Sequence, residues 1–267
     1  MTRGVVYLLH GMGAAERLAV SVYSLRNHWC GSITILTGDA AERAIARRIA
    51  NGFNCRVLLI QDMPDNAMLA KTHIPEWTPY GETLYLDADT VVVGAVDELF
   101  DYALTLTQEG CWVSTGKRVG KWIRSWRDKI EDHDCLEWLE IQLAHSWPAI
   151  NTGVFAFRRD NHHLDTWRKV ADQCPDMMMV DQLAMQIATS VIPYRLLDDR
   201  FNRSPTHGMA TEDIRVHHFH GRKHCRSRRV HPVWEKAFAE AMEANIGGLQ
   251  EWAGKYDRDV ARWLNAG

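Results

Sequence analysis

Short apolar runs alternate with amphipathic stretches along the first part of the chain. The runs at residues 5–9, 32–36 and 55–60 are typical of buried strands, and residues 14–27, 40–50 and 67–74 carry helical periodicity. Strands that alternate with helices predict an α/β fold, in which a Rossmann-like, mainly parallel sheet is flanked by helices. In such sheets ligands bind beyond the carboxyl ends of the strands.

The next apolar run, residues 84–93, carries two carboxylates, Asp87 and Asp89. Its aromatic and β-branched residues predict a single buried strand, in which residues i and i+2 face the same way. Two ionised carboxylates so close together repel each other unless a cation lies between them or one is protonated. A hard divalent cation that holds a phosphate satisfies this requirement. The alternative is a pair of acids that cap a turn or helix at the end of the strand.

Composition limits the classes of protein to consider. A chain of 267 residues that is 46% hydrophobic can bury a large core. The formal net charge of −3 provides no general basic field, so we expect no nucleic-acid partner. The cysteines are scattered without a CxxC pair, which predicts reduced thiols. We find neither a signal peptide nor an apolar run near the roughly 18 residues of a membrane span, and we therefore expect a cytoplasmic protein.

The second half predicts further elements, although the pattern is weak between residues 105 and 147. We expect strands at residues 111–114, 149–157 and 214–220, a helix at 178–189, and a basic turn at 221–229. Residues 232–264 are predicted to be mostly helical, with a break at Gly247-Gly248. The predicted organisation is a main domain over residues 1–230 and a helical C-terminal extension over 231–267 that packs on it.

Four short motifs follow one another along the chain. They are Leu84-Tyr85-Leu86-Asp87-Ala88-Asp89-Thr90, Ile150-Asn151-Thr152-Gly153-Val154, Val180-Asp181-Gln182 and His218-Phe219-His220-Gly221. Taken together and in order, they resemble the motifs of the GT-A glycosyltransferases of family 8, which include glycogenin, galactinol synthase and bacterial lipopolysaccharide glycosyltransferases, and the match extends over roughly residues 5–225. The resemblance implies a GT-A fold and a retaining transfer of glucose or galactose from a UDP-sugar to an acceptor that the sequence does not identify.

The resemblance also implies a metal site. Asp87 and Asp89 match the family's DxD ligands of Mn²⁺ (or Mg²⁺), and His218 matches the third ligand. His220 would share a strand face with His218, and motif position favours His218. An adventitious zinc site or a solvated basic loop is the alternative interpretation of the histidine-rich segment around them. Carboxylate, imidazole and phosphate ligands suit Mn²⁺, which would neutralise the charge that builds on the departing UDP.

Other residues match family positions around the donor. Lys71 and Lys223 are expected near the diphosphate, together with Ala88 and Gly221. The family's Lys-Pro-Trp after this glycine is replaced here by Arg222-Lys223-His224.

Three more residues match the sugar end of the donor site. Asn151 is expected near the donor sugar, and Asp181 and Gln182 next to the anomeric carbon. Asp181 could equally be the N-cap of its helix. We favour retention by a front-face return over a covalent adduct with Asp181 or Gln182.

The base-binding end departs from the family pattern. A tyrosine that often stacks on uracil in the family aligns near Ala14. We therefore expect base recognition to involve Leu8, His10 and Gly11, and uridine specificity rests on the resemblance alone.

Three other functions compete with this interpretation. A non-catalytic sugar-nucleotide or glycan-binding protein would differ from the enzyme in turning over no donor. The loop at residues 8–13 is similar to the oxyanion loop of α/β-hydrolases, but the nearest G-x-S-x-G candidate, around Ser114, has Trp112 in place of the first glycine. A nucleotidyltransferase would need a glycine-rich phosphate loop followed directly by a basic residue, whereas Glu16 precedes Arg17 here.

Overall fold

The structure of the chain is a computed structural model that describes residues 2–108, 116–145, 147–204, 213–220 and 231–265. Its strands are Arg3–Leu9 (β1), Ser32–Thr37 (β2), Arg56–Leu59 (β3), Glu82–Leu86 (β4), Thr90–Val92 (β5), Leu104–Gln108 (β6), Ile150–Arg158 (β7), Arg195–Leu197 (β8) and Val216–His218 (β9). Its helices are Ala15–Arg26 (α1), Ala40–Asn51 (α2), Ala67–Thr72 (α3), Ile74–Trp77 (α4), Gly116–Arg124 (α5), His133–Ala144 (α6), Leu164–Gln173 (α7), Val180–Ala188 (α8), Pro232–Glu243 (α9), Leu249–Trp252 (α10) and Arg258–Leu264 (α11).

A seven-stranded sheet forms the centre of the described part of the chain, in the order β3-β2-β1-β4-β7-β6-β8. The pairs β1–β2, β1–β4, β2–β3 and β6–β8 are parallel, whereas β7 is antiparallel to both β4 and β6. Helices flank the sheet, and the predicted mainly parallel α/β architecture is confirmed. The antiparallel direction of β7 carries its first residues to the same sheet edge as the carboxyl end of β4.

Helices cover both faces of the sheet because its strands are apolar on both sides. In β1, Val5 and Tyr7 pack into one buried cluster with α1, α2 and α9, whereas Val6 and Leu8 pack into a second cluster with α7 and α8. A strand buried on both faces needs an uninterrupted apolar run, as residues 5–9 have.

The C-terminal helices belong to the first of these clusters. Trp234, Phe238 and Trp252 are almost fully buried in it. In addition, Oε1 of the buried Glu16 on α1 accepts hydrogen bonds from the backbone N–H groups of Tyr256 and Asp257. These hydrogen bonds hold Tyr256 and Asp257 against the beginning of α1, next to the end of β1.

The prediction of one strand over residues 84–93 is wrong. Strand β4 ends at Leu86, the chain turns, and β5 pairs with β9 in a separate two-stranded antiparallel sheet. Thr90 closes the turn by donating from its backbone N–H and from Oγ1 to the carbonyl oxygen of Asp87, at 3.2 and 2.9 Å. The acids therefore occupy a turn, which Asp favours, and not a strand face.

Other differences concern the weakly patterned regions. The sequence did not predict β6, α7 or β8, and the strand expected at residues 111–114 lies outside the described residues. The helix expected at 67–74 is divided into α3 and α4 at His73, because Pro75 in the first turn of α4 has no N–H to continue α3. Across the described ranges, no helix is long and apolar enough to cross a membrane.

Candidate metal and donor site

The turn after β4 and the small β5–β9 sheet bring two acids and a histidine together. Asp87 donates its backbone N–H to the carbonyl oxygen of Gly153 on β7, at 2.8 Å, which anchors the start of the turn. Thr90 pairs with His218 across β5 and β9, and Phe219 donates its N–H to the carbonyl oxygen of Asp89 at 2.8 Å. Backbone pairing therefore holds the His218 side chain over the turn.

The three side chains form a potential metal site. Nε2 of His218 lies 3.2 Å from Oδ1 of Asp89 and 3.4 Å from Oδ2 of Asp87, and the candidate ligand atoms all lie within 4.8 Å of one another. The imidazole is 2% exposed, and Nε2 is buried without a hydrogen bond of normal geometry to any described residue. A buried nitrogen that faces two carboxylates fits a divalent cation that accepts nitrogen and oxygen ligands.

The electrostatics of the three groups are strongly coupled. Burial alone would lower the pKa of His218, but the nearby carboxylates of Asp87 and Asp89 raise it to about 10. Burial alone would raise the pKa of each carboxyl group. Instead, Lys71 and His218 hold the pKa of Asp87 well below its usual range, and His218 lowers that of Asp89. In the metal-free protein, a proton on His218 therefore compensates the two carboxylates.

Metal binding should displace that proton. Below its pKa of about 10 His218 is charged, so an ion that binds Nε2 must release one proton, whereas the two ionised carboxylates release none. We expect Mn²⁺ affinity to rise by about tenfold per pH unit, with release of about one proton per ion between about pH 7 and pH 9. Calorimetry in buffers of different ionisation enthalpy measures this number. Binding without proton release would show that His218 is not a ligand.

Lys71 on α3 connects this cluster with Asp181 on α8. Its Nζ lies 2.9 Å from Oδ1 of Asp87 and 2.8 Å from Oδ2 of Asp181. Burial alone would lower the pKa of Lys71, but Asp181 and Asp87 raise it above its usual value, so the ammonium stays charged. Oδ2 of Asp181 also accepts a hydrogen bond from Oγ1 of Thr152, at 2.7 Å. The N-cap interpretation of Asp181 is wrong, because α8 has Met179 at this position and no side-chain cap.

Asn151 and Gln182 lie beside Asp181, and their side chains are hydrogen-bonded to each other. Nδ2 of Asn151 donates to Oε1 of Gln182 at 3.2 Å. Both residues line the same cavity as the acidic cluster. The structure thus brings together the residues that the sequence predicted for the metal and for the sugar.

A cavity of about 790 Å³ is lined by all but one of the predicted site residues that the structure describes. Gly11 is not among its lining residues, and its backbone N–H is instead bonded to Oε1 of Glu42 at 2.5 Å. Gly221 and Lys223 lie outside the described residues, as does Ser114 of the hydrolase alternative. The predicted residues on the cavity wall are Leu8, His10, Lys71, Asp87, Ala88, Asp89, Asn151, Asp181, Gln182 and His218.

Sequence reasoning missed other residues of the cavity wall. Arg17 follows Ala14 by one helical turn, and its Nη1 lies 3.7 Å from Oδ2 of Asp89. Tyr85 precedes Asp87 by two residues and donates from its hydroxyl to Oδ1 of that carboxylate at 2.6 Å. Two sequence signals could have identified these residues. Arg17 lies one helical turn after Ala14, and Tyr85 lies two residues before Asp87 along β4, on the same side of the strand. His220, which the sequence offered beside His218, also lines the cavity, with its ring 4.8 Å from that of His218, but the group of candidate metal ligands contains His218.

No protein-family model matches the sequence, and no curated protein is similar to it in sequence. Solved structures do match in fold. The galactosyltransferase LgtC, in complex with donor and acceptor sugar analogues, is 17% identical with a TM-score of 0.63, over 94% of this chain and 99% of that chain.

Two other glycosyltransferases are longer than this chain. GlyE of Streptococcus pneumoniae TIGR4 is 15% identical with a TM-score of 0.63, and the alignment covers 96% of this chain but 64% of GlyE. The bifunctional glycosyltransferase WbbM is 14% identical with a TM-score of 0.65, over 98% of this chain but 51% of WbbM. The chain thus spans one half to two thirds of these two proteins. Identities at this level show a shared fold, and the chain has the predicted GT-A fold.

Proposed function

We propose that the chain is a metal-dependent, retaining glycosyltransferase that moves glucose or galactose from a UDP-sugar to an acceptor hydroxyl group. One observation carries the proposal. The buried Nε2 of His218 faces Asp87 and Asp89 in a cavity that also contains Lys71, Asp181 and Gln182, on a fold shared with glycosyltransferases. A protein that merely binds sugar would not need this set of charged and amide groups beside a metal site.

Asp87, Asp89 and His218 would hold Mn²⁺ or Mg²⁺. When bound there, the metal supplies Lewis-acid stabilisation of the departing diphosphate. Lys71 contributes a fixed positive charge between the metal site and the sugar end, since it contacts both Asp87 and Asp181. Leu8, His10 and Ala14 line the part of the cavity next to the end of β1, where we place the nucleoside.

We favour the front-face route of retention. In a covalent route, an oxygen of Asp181 or Gln182 would bond to the anomeric carbon. Oδ2 of Asp181 is held by both Lys71 and Thr152, and Oε1 of Gln182 accepts from Asn151, so attack by either of these two oxygens would break existing hydrogen bonds. In the front-face route the acceptor oxygen bonds to the anomeric carbon on the side from which UDP leaves, and its proton passes to the departing phosphate oxygen. Asp181 then stabilises positive charge on the sugar without bonding to it.

Replacing Gln182 with alanine tests the sugar end of the site. We expect kcat for UDP-hexose to fall by about 10²-fold, whereas the Kd of UDP changes by less than about threefold, because Gln182 lies beside Asp181 and away from the metal ligands. Release of UDP from UDP-glucose and UDP-galactose measures turnover, and calorimetry measures UDP binding.

Gln186 provides a matched control for this variant. It lies one turn further along α8, accepts from the backbone N–H of Ile150 at 3.1 Å, and does not line the cavity. Gln186→Ala should lower the stability of the protein. It should not reduce kcat relative to UDP binding, as we expect Gln182→Ala to do. If Gln182→Ala weakened UDP binding more than turnover, Gln182 would lie outside the sugar-binding part. Absence of any donor turnover by the wild-type protein would favour the non-catalytic binding protein.

A further inference from the structure

Asn202 is the buried centre of a hydrogen-bonded chain that joins His218 to Gln182. Its side chain contacts His218, Asn151 and Thr107, and the residue is 2% exposed. Resting on the function proposed above, we propose that Asn202 is a positioning residue. It holds His218 in the tautomer that directs the Nε2 lone pair at the metal position, and it holds Asn151 for its contact with Gln182.

The backbone determines how the amides in this chain are oriented. The N–H of Gly153 donates to the side chain of Asn151 at 2.8 Å, so the atom that receives it must be Oδ1. The same Oδ1 lies 2.9 Å from Nδ2 of Asn202. The hydroxyl of Thr107 donates to the carbonyl oxygen of Val154 at 2.7 Å, and its oxygen is therefore an acceptor for Asn202, at 2.8 Å.

Both neighbours of one end of the Asn202 amide are thus acceptors, which requires that end to be the NH₂ group. A flipped amide would place the Asn202 carbonyl against the Oδ1 of Asn151 and lose two hydrogen bonds. Oδ1 of Asn202 must consequently face Nδ1 of His218, at 2.9 Å. Because this oxygen can only accept, Nδ1 of His218 must carry hydrogen, and a neutral ring then presents its lone pair at Nε2.

Backbone pairing fixes Asn202 against the strand that carries His218. The N–H of Arg203 donates to the carbonyl oxygen of Val216, and the N–H of His218 donates to the carbonyl oxygen of Arg203, both at 2.9 Å. Residues that follow the 3-10 turn Asp199–Phe201 therefore run beside β9. These backbone hydrogen bonds hold Asn202 in register with His218.

At its other end the chain reaches the sugar-binding part of the cavity. Oδ1 of Asn151 accepts from Asn202 and from Gly153, so Nδ2 of Asn151 faces Gln182 and donates to its Oε1 at 3.2 Å. The Gln182 amide then has its NH₂ group left to face the cavity. Asn202 thereby connects the orientation of the metal ligand with that of a residue beside the sugar.

The test compares Mn²⁺ binding by three variants, measured by the electron paramagnetic resonance signal of free Mn²⁺. Asn202→Ala removes the acceptor for His218, and we expect the Mn²⁺ Kd to rise by about 10- to 100-fold. Asn202→Asp keeps an acceptor for Nδ1, since a carboxylate is a common partner of metal-bound histidine, but it loses the NH₂ group that faces Asn151 and Thr107. Its loss of Mn²⁺ affinity should therefore be clearly smaller than that of Asn202→Ala. Thr107→Val is the matched control: it breaks a bond to Asn202 but leaves the His218 contact, so its Kd should stay within about threefold of the wild-type value.

The pattern distinguishes a positioning role from a structural one. Circular dichroism and thermal unfolding establish that each variant is folded. A folded Asn202→Ala that binds Mn²⁺ as the wild type does would overturn the proposal, and so would equal losses in Asn202→Ala and Asn202→Asp. A loss in Thr107→Val as large as in Asn202→Ala would also overturn it, because stability alone would then explain the effect. A wild-type protein that binds no Mn²⁺ would overturn the proposed metal-dependent function, and the positioning role with it.

Discussion

Replacing Asp89 with alanine is expected to abolish the Mn²⁺-dependent part of UDP binding while the fold stays intact. Oδ1 of Asp89 faces Nε2 of His218. Substitutions that only reposition a metal ligand lower metal affinity by about 10- to 100-fold, so removal of the ligand itself should lower it by more than roughly 100-fold. The fold should survive because Asp89 holds its turn through its carbonyl oxygen, which accepts from Phe219 and is kept in alanine. Calorimetric titration of UDP with Mn²⁺ measures the effect.

Asp101 serves as the matched control for Asp89. It is an exposed carboxylate with an ion-pair distance of 3.9 Å to Arg195, and it does not line the cavity. Asp101→Ala should bind UDP and Mn²⁺ as the wild type does. Unchanged Mn²⁺-dependent UDP affinity in a folded Asp89→Ala protein would refute the assignment of the metal site.

Gly153→Ala should have the second large effect, on both metal binding and stability. A Cβ atom at this position would lie 2.1 Å from Cε1 of His218 and 2.8 Å from Oδ1 of Asn151. His218 is almost fully buried and is held by β9, so the imidazole has little room to move. We expect a loss of about 1–3 kcal/mol in the free energy of unfolding and loss of Mn²⁺ binding.

Gly13→Ala is the control for Gly153→Ala. A Cβ atom at Gly13 would meet only the carbonyl oxygen of Tyr256, at 3.8 Å, which is an ordinary van der Waals contact. Thermal unfolding and Mn²⁺ titration of both variants should separate them clearly. Wild-type stability and metal affinity in Gly153→Ala would mean that the His218 ring does not lie against Gly153.

The sheet and the position of Asp87 at its edge could be predicted from local sequence. Alternating strands and helices imply parallel strands, and the carboxyl ends of parallel strands share one edge. Asp87 follows directly after such a strand, and Asn151 lies at the start of β7, which the antiparallel pairing with β4 brings to the same edge. The resemblance to family 8 implied that Asp181 and His218 lie near them, and the structure places all four on one cavity.

The exact path of the chain through the site could not be predicted. Residues 90–92 are β-branched like those of any central strand, so nothing local signals that β5 leaves the main sheet. Its partner β9 is distant in sequence, and only the tertiary pairing of Thr90 with His218 reveals the turn. Asn202 belongs to no periodic pattern, and its importance comes from contacts with residues of three other segments. Arg17 was missed because a helical arginine is usually a solvated residue.

The proposed function is tested most directly by calorimetric titration of UDP, UDP-glucose and UDP-galactose into the purified protein, once with Mn²⁺ and once with EDTA. The proposed arrangement of Asp87, Asp89 and His218 predicts that uridine nucleotides bind at least about tenfold more tightly with Mn²⁺, and the two sugar nucleotides would then be ranked by affinity. Equal binding with Mn²⁺ and EDTA, or no binding of any uridine nucleotide, would contradict a metal-dependent UDP-sugar transferase.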